Sequence, residues 1–240
     1  MKFVRGGLQM TTIRDCIAPD RNPKVPSIKL PEGSIDTHVH IFESQYPLFE
    51  GRGYNPPDST LDDLKHLHSQ LGVSRVVYTQ PSPYGVDNSA ILKGMKVMND
   101  ETPGRARGVC AIKMDVSDDF LEDLDKQGIK GVRLNMDNIG GMPIGLDEIP
   151  TLEARIKDLG WHVEYLFPGK DIVELAPIFK KSSVPISIAH FAYQPATNGI
   201  NSEGFKTLLD LVRDGNTWIK ISGANSCLLY TSPSPRDGVQ

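Results

Sequence analysis

The chain has 240 residues, 39% of them hydrophobic, enough to bury one sizeable core and therefore predicting one domain. A formal charge of −4 and a pI near 5.9, with Lys and Arg scattered along the chain, exclude the basic footprint of a nucleic-acid or anionic-membrane binder and point to a small-molecule partner. No apolar run approaches the roughly 18 residues of a membrane span, and no secretory leader is visible, so the cytoplasm is the expected compartment, with Cys16, Cys110 and Cys227 as reduced thiols.

Residues 1–33, with "APDRNPKVPSIKLPEG", read as an extended arm. A rhythm then begins. Apolar, β-branched runs at 34–40, 74–80, 107–113, 129–135, 161–167, 184–190 and 216–222 predict seven strands. Helix-period segments lie between them: "TLDDLKHLHSQLG", "NSAILKGMKVMND", "SDDFLEDLDKQG", "TLEARIKDLG", "DIVELAPIFKKS" and "SEGFKTLLDLVRDG". Several open on a capping residue, and some close on Gly. Such alternation predicts parallel strands with right-handed crossovers, as a doubly wound sheet or a (β/α)8 barrel.

Strand parity separates the two. Asp36, His38 and His40 share a face on the first strand, Arg133 and Asn135 on the fourth, Ile186, Ile188 and His190 on the sixth, Lys220 and Ser222 on the seventh. Polar residues toward the C-terminal strand ends imply one shared mouth, whereas a sheet buried on both faces is apolar throughout. The barrel is the predicted fold, incomplete because an eighth strand is missing.

The pair in "DTHVH" points both imidazoles the same way, close enough to hold one metal ion or one substrate group; two buried, hydrogen-bonded histidines would look the same. His190 then faces His38 and His40 across the mouth. His66 and His68, two apart on a helix, are expected to be solvent-exposed, and His162, at the start of its strand, to be structural. Glu164 is either an inner partner for a cation or a catalytic carboxylate. A guanidinium pointing inward must meet an anion, so Arg133 is expected to hold a substrate carboxylate, or else to bridge to Asp36 or Glu164. Gln80, Ser82, Tyr84 and Asn88 in "TQPSPYGVDNSA" supply neutral donors, unless Ser and Asn serve only as turn and cap residues, and Asn135 and Lys220 complete the substrate-binding set. "NIGGM" (138–142) lacks phosphate-loop spacing.

Residues 27–225 resemble the amidohydrolase-related superfamily, and most closely its 2-pyrone-4,6-dicarboxylate hydrolase and lactonase group. The resemblance rests on "KLPEGSIDTHVHIF", "PSPYGVDNSAIL", "RARGVCAI", "GIKGVRLN", "GWHVEYLF", "VPISIAHF" and "WIKISG", in family order and spacing. It implies a (β/α)8 barrel in which His38, His40, His190 and a strand-eight Asp surround the reacting centre. That Asp would prepare a water to attack a lactone carbonyl, with Arg133 on a substrate carboxylate. No cofactor is then expected. The alternatives are a metal-dependent hydrolase or decarboxylase with a zinc-like ion on His38, His40 and His190, or a sugar-lactone isomerase. The sequence departs from the pattern at Leu166, where these hydrolases tend to carry Tyr, and in its tail. "NSCLLYTSPSPRDGVQ" forms no barrel element and resembles translated adapter sequence, so the native barrel is expected over 34–225 and a non-native tail over 226–240, with Asp237 its only acid. Without the strand-eight Asp, the 240 residues are expected to be a poorly soluble, catalytically silent fragment.

Overall fold

The computed structural model of the chain describes residues 13–136 and 143–223. Seven parallel strands make one sheet in the order β2-β4-β5-β6-β7-β8-β9: β2 (Ile35–Val39), β4 (Arg75–Thr79), β5 (Ala106–Cys110), β6 (Ile129–Asn135), β7 (His162–Leu166), β8 (Ile186–Ile188) and β9 (Thr217–Ile219). Helices α1 (Leu61–Leu71), α2 (Ser89–Glu101), α3 (Asp118–Lys126), α4 (Ile149–Ile156), α5 (Ile172–Phe179) and α6 (Glu203–Arg213) fall in the crossovers. Each strand therefore pairs with its chain neighbour through a helix, as right-handed β–α–β units require. The sheet curls: Lys220, just past β9 at one end of the order, reaches the carbonyl of Thr37 on β2 at the other, 2.9 Å away. This is an open (β/α) barrel, and the seven strands and six helices expected from the sequence are all present. An eighth strand does not occur among the described residues.

Local chemistry sets the helix ends. Thr60 accepts from the Asp63 N–H while Asp63 accepts from the Thr60 N–H, a capping box, and Gly72 closes α1 in the left-handed region that glycine adopts without strain. At the starts of α3 and α6 the Ser117 and Ser202 side chains accept from the Phe120 and Phe205 N–H groups, without a reciprocal bond. The outer face of the sheet packs on the helices through Tyr78, Met95, Met98, Trp161, Phe179 and Leu211, all buried. Tyr165 stacks on Phe179 of α5 with ring centroids 4.6 Å apart, so Glu164 and Leu166 on either side of it point inward.

The arm carries one short strand of its own, β1 (Arg14–Asp15), parallel to β3 (Tyr54–Asn55), and Arg21 ties it to Asp63 at 3.0 Å. Among the described residues Cys16 is exposed and Cys110 buried, both free. No described helix is long and apolar enough to cross a membrane.

Two expectations are corrected. Asp36 does not share the inner face with His38 and His40. Between Asp36 and Val39, β2 carries one residue more than β4, whose partners are Val76 and Tyr78. This bulge breaks the two-residue alternation. Asp36 turns to α1, where its carboxylate meets His68 Nε2 at 3.2 Å and takes the His38 N–H at 3.2 Å. His68 is accordingly buried, and only His66 is exposed.

Candidate active site

A charged cluster fills the mouth of the barrel. Glu164 is fully buried; Arg133 Nε and His38 Nδ1 each lie 3.6 Å from its Oε1, and Lys220 Nζ donates to its Oε2. The register explains the first contact, because Arg133 on β6 is the direct partner of Glu164 on β7. The contact with Lys220 is made across the barrel. His38, Glu164 and Lys220 come from the first, fifth and seventh strands of the sheet, and alternate strands contribute each interior layer of such a barrel. Lys220 also donates to the Thr37 carbonyl at 2.9 Å and to His38 Nδ1 at 3.0 Å.

The structure brings the three histidines together. The rings of His38 and His40 are 4.9 Å apart edge-on, and those of His38 and His190 are 4.8 Å apart. His40 Nδ1 lies 2.7 Å from the Thr79 carbonyl, which can only accept, so Nδ1 carries the proton and Nε2 a lone pair. Burial, with Arg133 nearby, pushes the His40 pKa down to about 3. Burial and then the neighbouring His40, Lys220 and Arg133 hold His38 well below the usual imidazole range, and burial followed by Arg133 lowers His190. All three are neutral near pH 7. Burial would raise the Glu164 carboxyl, but Lys220 and Arg133 outweigh it and keep the group ionised.

His190 does not end a strand as expected. β8 stops at Ile188, and His190, Phe191, Ala192 and Tyr193 follow with φ of 52°, 52°, 52° and 47°. Four consecutive non-glycine residues in the left-handed region cost roughly 1–2 kcal/mol each. The turn is held from outside: Phe191 N–H donates to the Lys220 carbonyl at 3.1 Å, and Gln194 Nε2 bonds the Gly169 carbonyl at 2.7 Å. Gly169 packs so closely that a Cβ there would stand 2.4 Å from the Tyr193 carbonyl oxygen. Ser222 Oγ, 2.9 Å from His190 Nδ1, fixes the ring. Backbone strain of this kind concentrates where a side chain must be aimed.

Other predicted site residues have partners within the protein. Gln80 donates its side-chain amide N–H groups to the carbonyls of Gly85 and Asp87, at 3.0 and 2.8 Å, while its backbone carbonyl accepts from Arg133 Nη1 at 2.8 Å. Asn88 ties its loop to Ala111. Tyr84 packs on Phe42 and bonds the Glu43 backbone. Ser82 is buried beside Tyr54, and Asn135 is buried at the end of β6. His162 bonds the Lys130 carbonyl at 2.8 Å, a structural role. Arg133 has Glu164 as its anion, one of the two partners foreseen for it. The "NIGGM" loop, the tail and Asp237 lie outside the described residues.

The sequence left the role of Glu164 open and did not foresee the bond from Ser222 to His190 or the saturation of Lys220. The signal for the first was its inward parity at the level of Arg133 on the neighbouring strand. Several buried side-chain atoms lack a hydrogen-bond partner: His38 Nε2, Arg133 Nε, Glu164 Oε1, Gln80 Oε1 and Thr79 Oγ1. All belong to this mouth. Orphaned polar atoms are rare in native interiors, and their concentration here makes this mouth the candidate site.

A divalent cation is the alternative occupant. The donor set does not fit one: Lys220 and Arg133 place two fixed positive charges against the imidazoles, and the one inner carboxylate, Glu164, is already committed to both. Among the described residues no group of three or more His, Cys, Asp or Glu is arranged to hold a metal.

Comparison with known proteins identifies relatives of the whole chain. The chain is 33% identical over 222 residues to a 2-pyrone-4,6-dicarboxylate hydrolase of Comamonas testosteroni, covering 91% of this chain and 71% of that protein. It is 31% identical to a 4-sulfomuconolactone hydrolase of Hydrogenophaga intermedia, covering 93% and 73%. A crystal structure described as a probable 2-pyrone-4,6-dicarboxylic acid hydrolase of Acinetobacter baumannii with citric acid bound superposes with a TM-score of 0.72 at 27% identity, covering 85% and 74%. The sequence profile of the Amidohydrolase family matches residues 35–238. The chain belongs to the amidohydrolase family.

Proposed function

We propose that this protein is a hydrolase that opens a carboxylated lactone by attack of water on the ring carbonyl. The observation that carries the reading is the set of orphaned buried polar atoms converging on three neutral imidazoles, with relatives named for hydrolysis of acidic lactones. Neutral histidines, among them the His38 Nε2 edge, can donate to the oxygen on which negative charge develops as the tetrahedral intermediate forms. Collapse of that intermediate breaks the ring C–O bond and yields a hydroxy acid. Arg133 and Lys220 make the mouth electropositive and favour an anionic substrate, and the buried Asn135 and Ser82 are its candidate neutral contacts. No step is routed through a metal.

A second reading, binding without turnover, rests on one feature. Removing a proton from the attacking water calls for a general base; burial drops the His40 pKa to about 3, which makes its Nε2 a weak one, and the Glu164 carboxylate is held ionised by Lys220 and Arg133. Among the described residues there is no strand-eight Asp to do this work. Incubation of the 240-residue chain with 2-pyrone-4,6-dicarboxylate, following loss of ring absorbance, together with calorimetric titration, separates the two. Turnover that is absent with the neutral parent pyrone and falls by about 10²–10⁴ in His38→Asn supports the hydrolase. Binding without ring opening supports the second reading. Neither binding nor opening of any carboxylated lactone overturns both.

A further inference from the structure

We propose that Lys220, anchored by Glu164, locks His38 as the Nε2–H tautomer, so that the two histidines of the pair present opposite faces to the mouth: His38 a donor, His40 an acceptor. The inference deepens the reading above, since a donor at this position is what a developing oxyanion needs. An ammonium has three N–H donors and no acceptor. All three of Lys220 are accounted for, by the Thr37 carbonyl at 2.9 Å, His38 Nδ1 at 3.0 Å and the Glu164 carboxylate. The first and third partners can only accept, so the contact with His38 is a donation from Lys220, and Nδ1 must hold its lone pair. The one ring proton of a neutral His38 is thereby placed on Nε2, the buried atom without a partner.

His40 is set the other way by the Thr79 carbonyl at 2.7 Å from its Nδ1. Two side chains of one type, two residues apart, are thus differentiated by the polarity of what touches Nδ1: an ammonium in one case, a carbonyl in the other. Glu164 secures the arrangement by anchoring Lys220 through its carboxylate, and Arg133 shares that carboxylate from the other side. Lys220 is in this account a positioning residue. It acts through His38 and has no donor left for a ligand.

The test is a long-range proton–nitrogen correlation spectrum of the 15N-histidine-labelled 240-residue chain at neutral pH, with His38 and His40 assigned by His38→Gln and His40→Gln. His38 should show a bare Nδ1 and a protonated Nε2, and His40 the reverse. Lys220→Met should bring the two His38 nitrogens toward averaged shifts while leaving His40 unmoved, and Lys220→Arg, which keeps a donor, should retain the parent pattern. A protonated Nδ1 on His38 in the parent chain overturns the proposal, as does a His38 pattern indifferent to Lys220→Met. If Lys220→Met does not fold, the parent spectrum and Lys220→Arg still decide. The readout needs no substrate. Failure to open a lactone with the tautomers as stated counts against the proposed function alone.

Discussion

Glu164→Gln removes one charge from the centre of the cluster while preserving shape, and its consequence can be worked out. The carboxylate is fully buried, and the side chains that depend on it are almost so, with 6% of Arg133 and 13% of Lys220 exposed. At 3.6 Å and an effective dielectric near 20, the Arg133 contact alone is worth about 5 kcal/mol of Coulomb energy. Breaking a buried ion pair from one side typically costs about 3–5 kcal/mol, because the surviving cations remain desolvated. The Gln amide still offers an acceptor oxygen to Lys220, so the lower half of that range is expected. Measured against a total stability of roughly 5–15 kcal/mol, the loss is large. Urea unfolding followed by far-UV circular dichroism and by the fluorescence of buried Trp161 gives the difference by linear extrapolation. Adding Lys220→Met should recover about 2 kcal/mol or more, since one stranded cation is gone. A Glu164→Gln chain within about 0.5 kcal/mol of the parent would refute the view that this carboxylate holds the cluster together.

Two further predictions concern the histidines. Gly169→Ala would place a methyl 2.4 Å from the Tyr193 carbonyl oxygen and 2.7 Å from that of Ala192, both backbone atoms, so the left-handed turn carrying His190 must shift. Turnover of a carboxylated lactone should fall by about 10²-fold, with the His38 and His40 nitrogen shifts unchanged; unaltered turnover would show that His190 is not aimed by this turn. The pH dependence of stability follows from imidazoles that stay neutral in the fold. The pKa of His40 is about 3 in the folded chain against 6.5 ordinarily, so the unfolded chain binds the extra proton between those values and stability is lost as pH falls through that window. Burial lowers His38 and His190 likewise, and Glu164, lowered by Lys220 and Arg133, adds a loss of the same sign below its ordinary value. Urea midpoints should therefore drop steadily from pH 7 to pH 4, and a flat profile would contradict the neutral assignment.

Much of this molecule was legible in one dimension. Alternation of β-branched runs with capped, helix-period segments determined seven parallel strands and six crossovers, because backbone pairing and apolar burial are local in pattern even where the contacts are distant. Parity placed His38, Arg133 and Lys220 at one mouth, but not His190: Ile188, two residues before it, pairs with the outward Tyr165, and the left-handed turn after β8 is what brings His190 to the mouth. Parity failed at Asp36, where one inserted residue in β2 turned a side chain outward to His68, and a bulge leaves no mark in a run such as "SIDTHVH". The sequence also could not say that four residues after β8 turn left-handed, since none is glycine and the conformation is imposed by Gly169, Gln194 and the Lys220 carbonyl from other elements. Nor could it pair the charges. Whether Arg133 and Lys220 face a ligand or the protein depends on how far the sheet curls. Only that curl brings Lys220, 182 residues further along the chain, to His38 and so decides which nitrogen of His38 carries the proton.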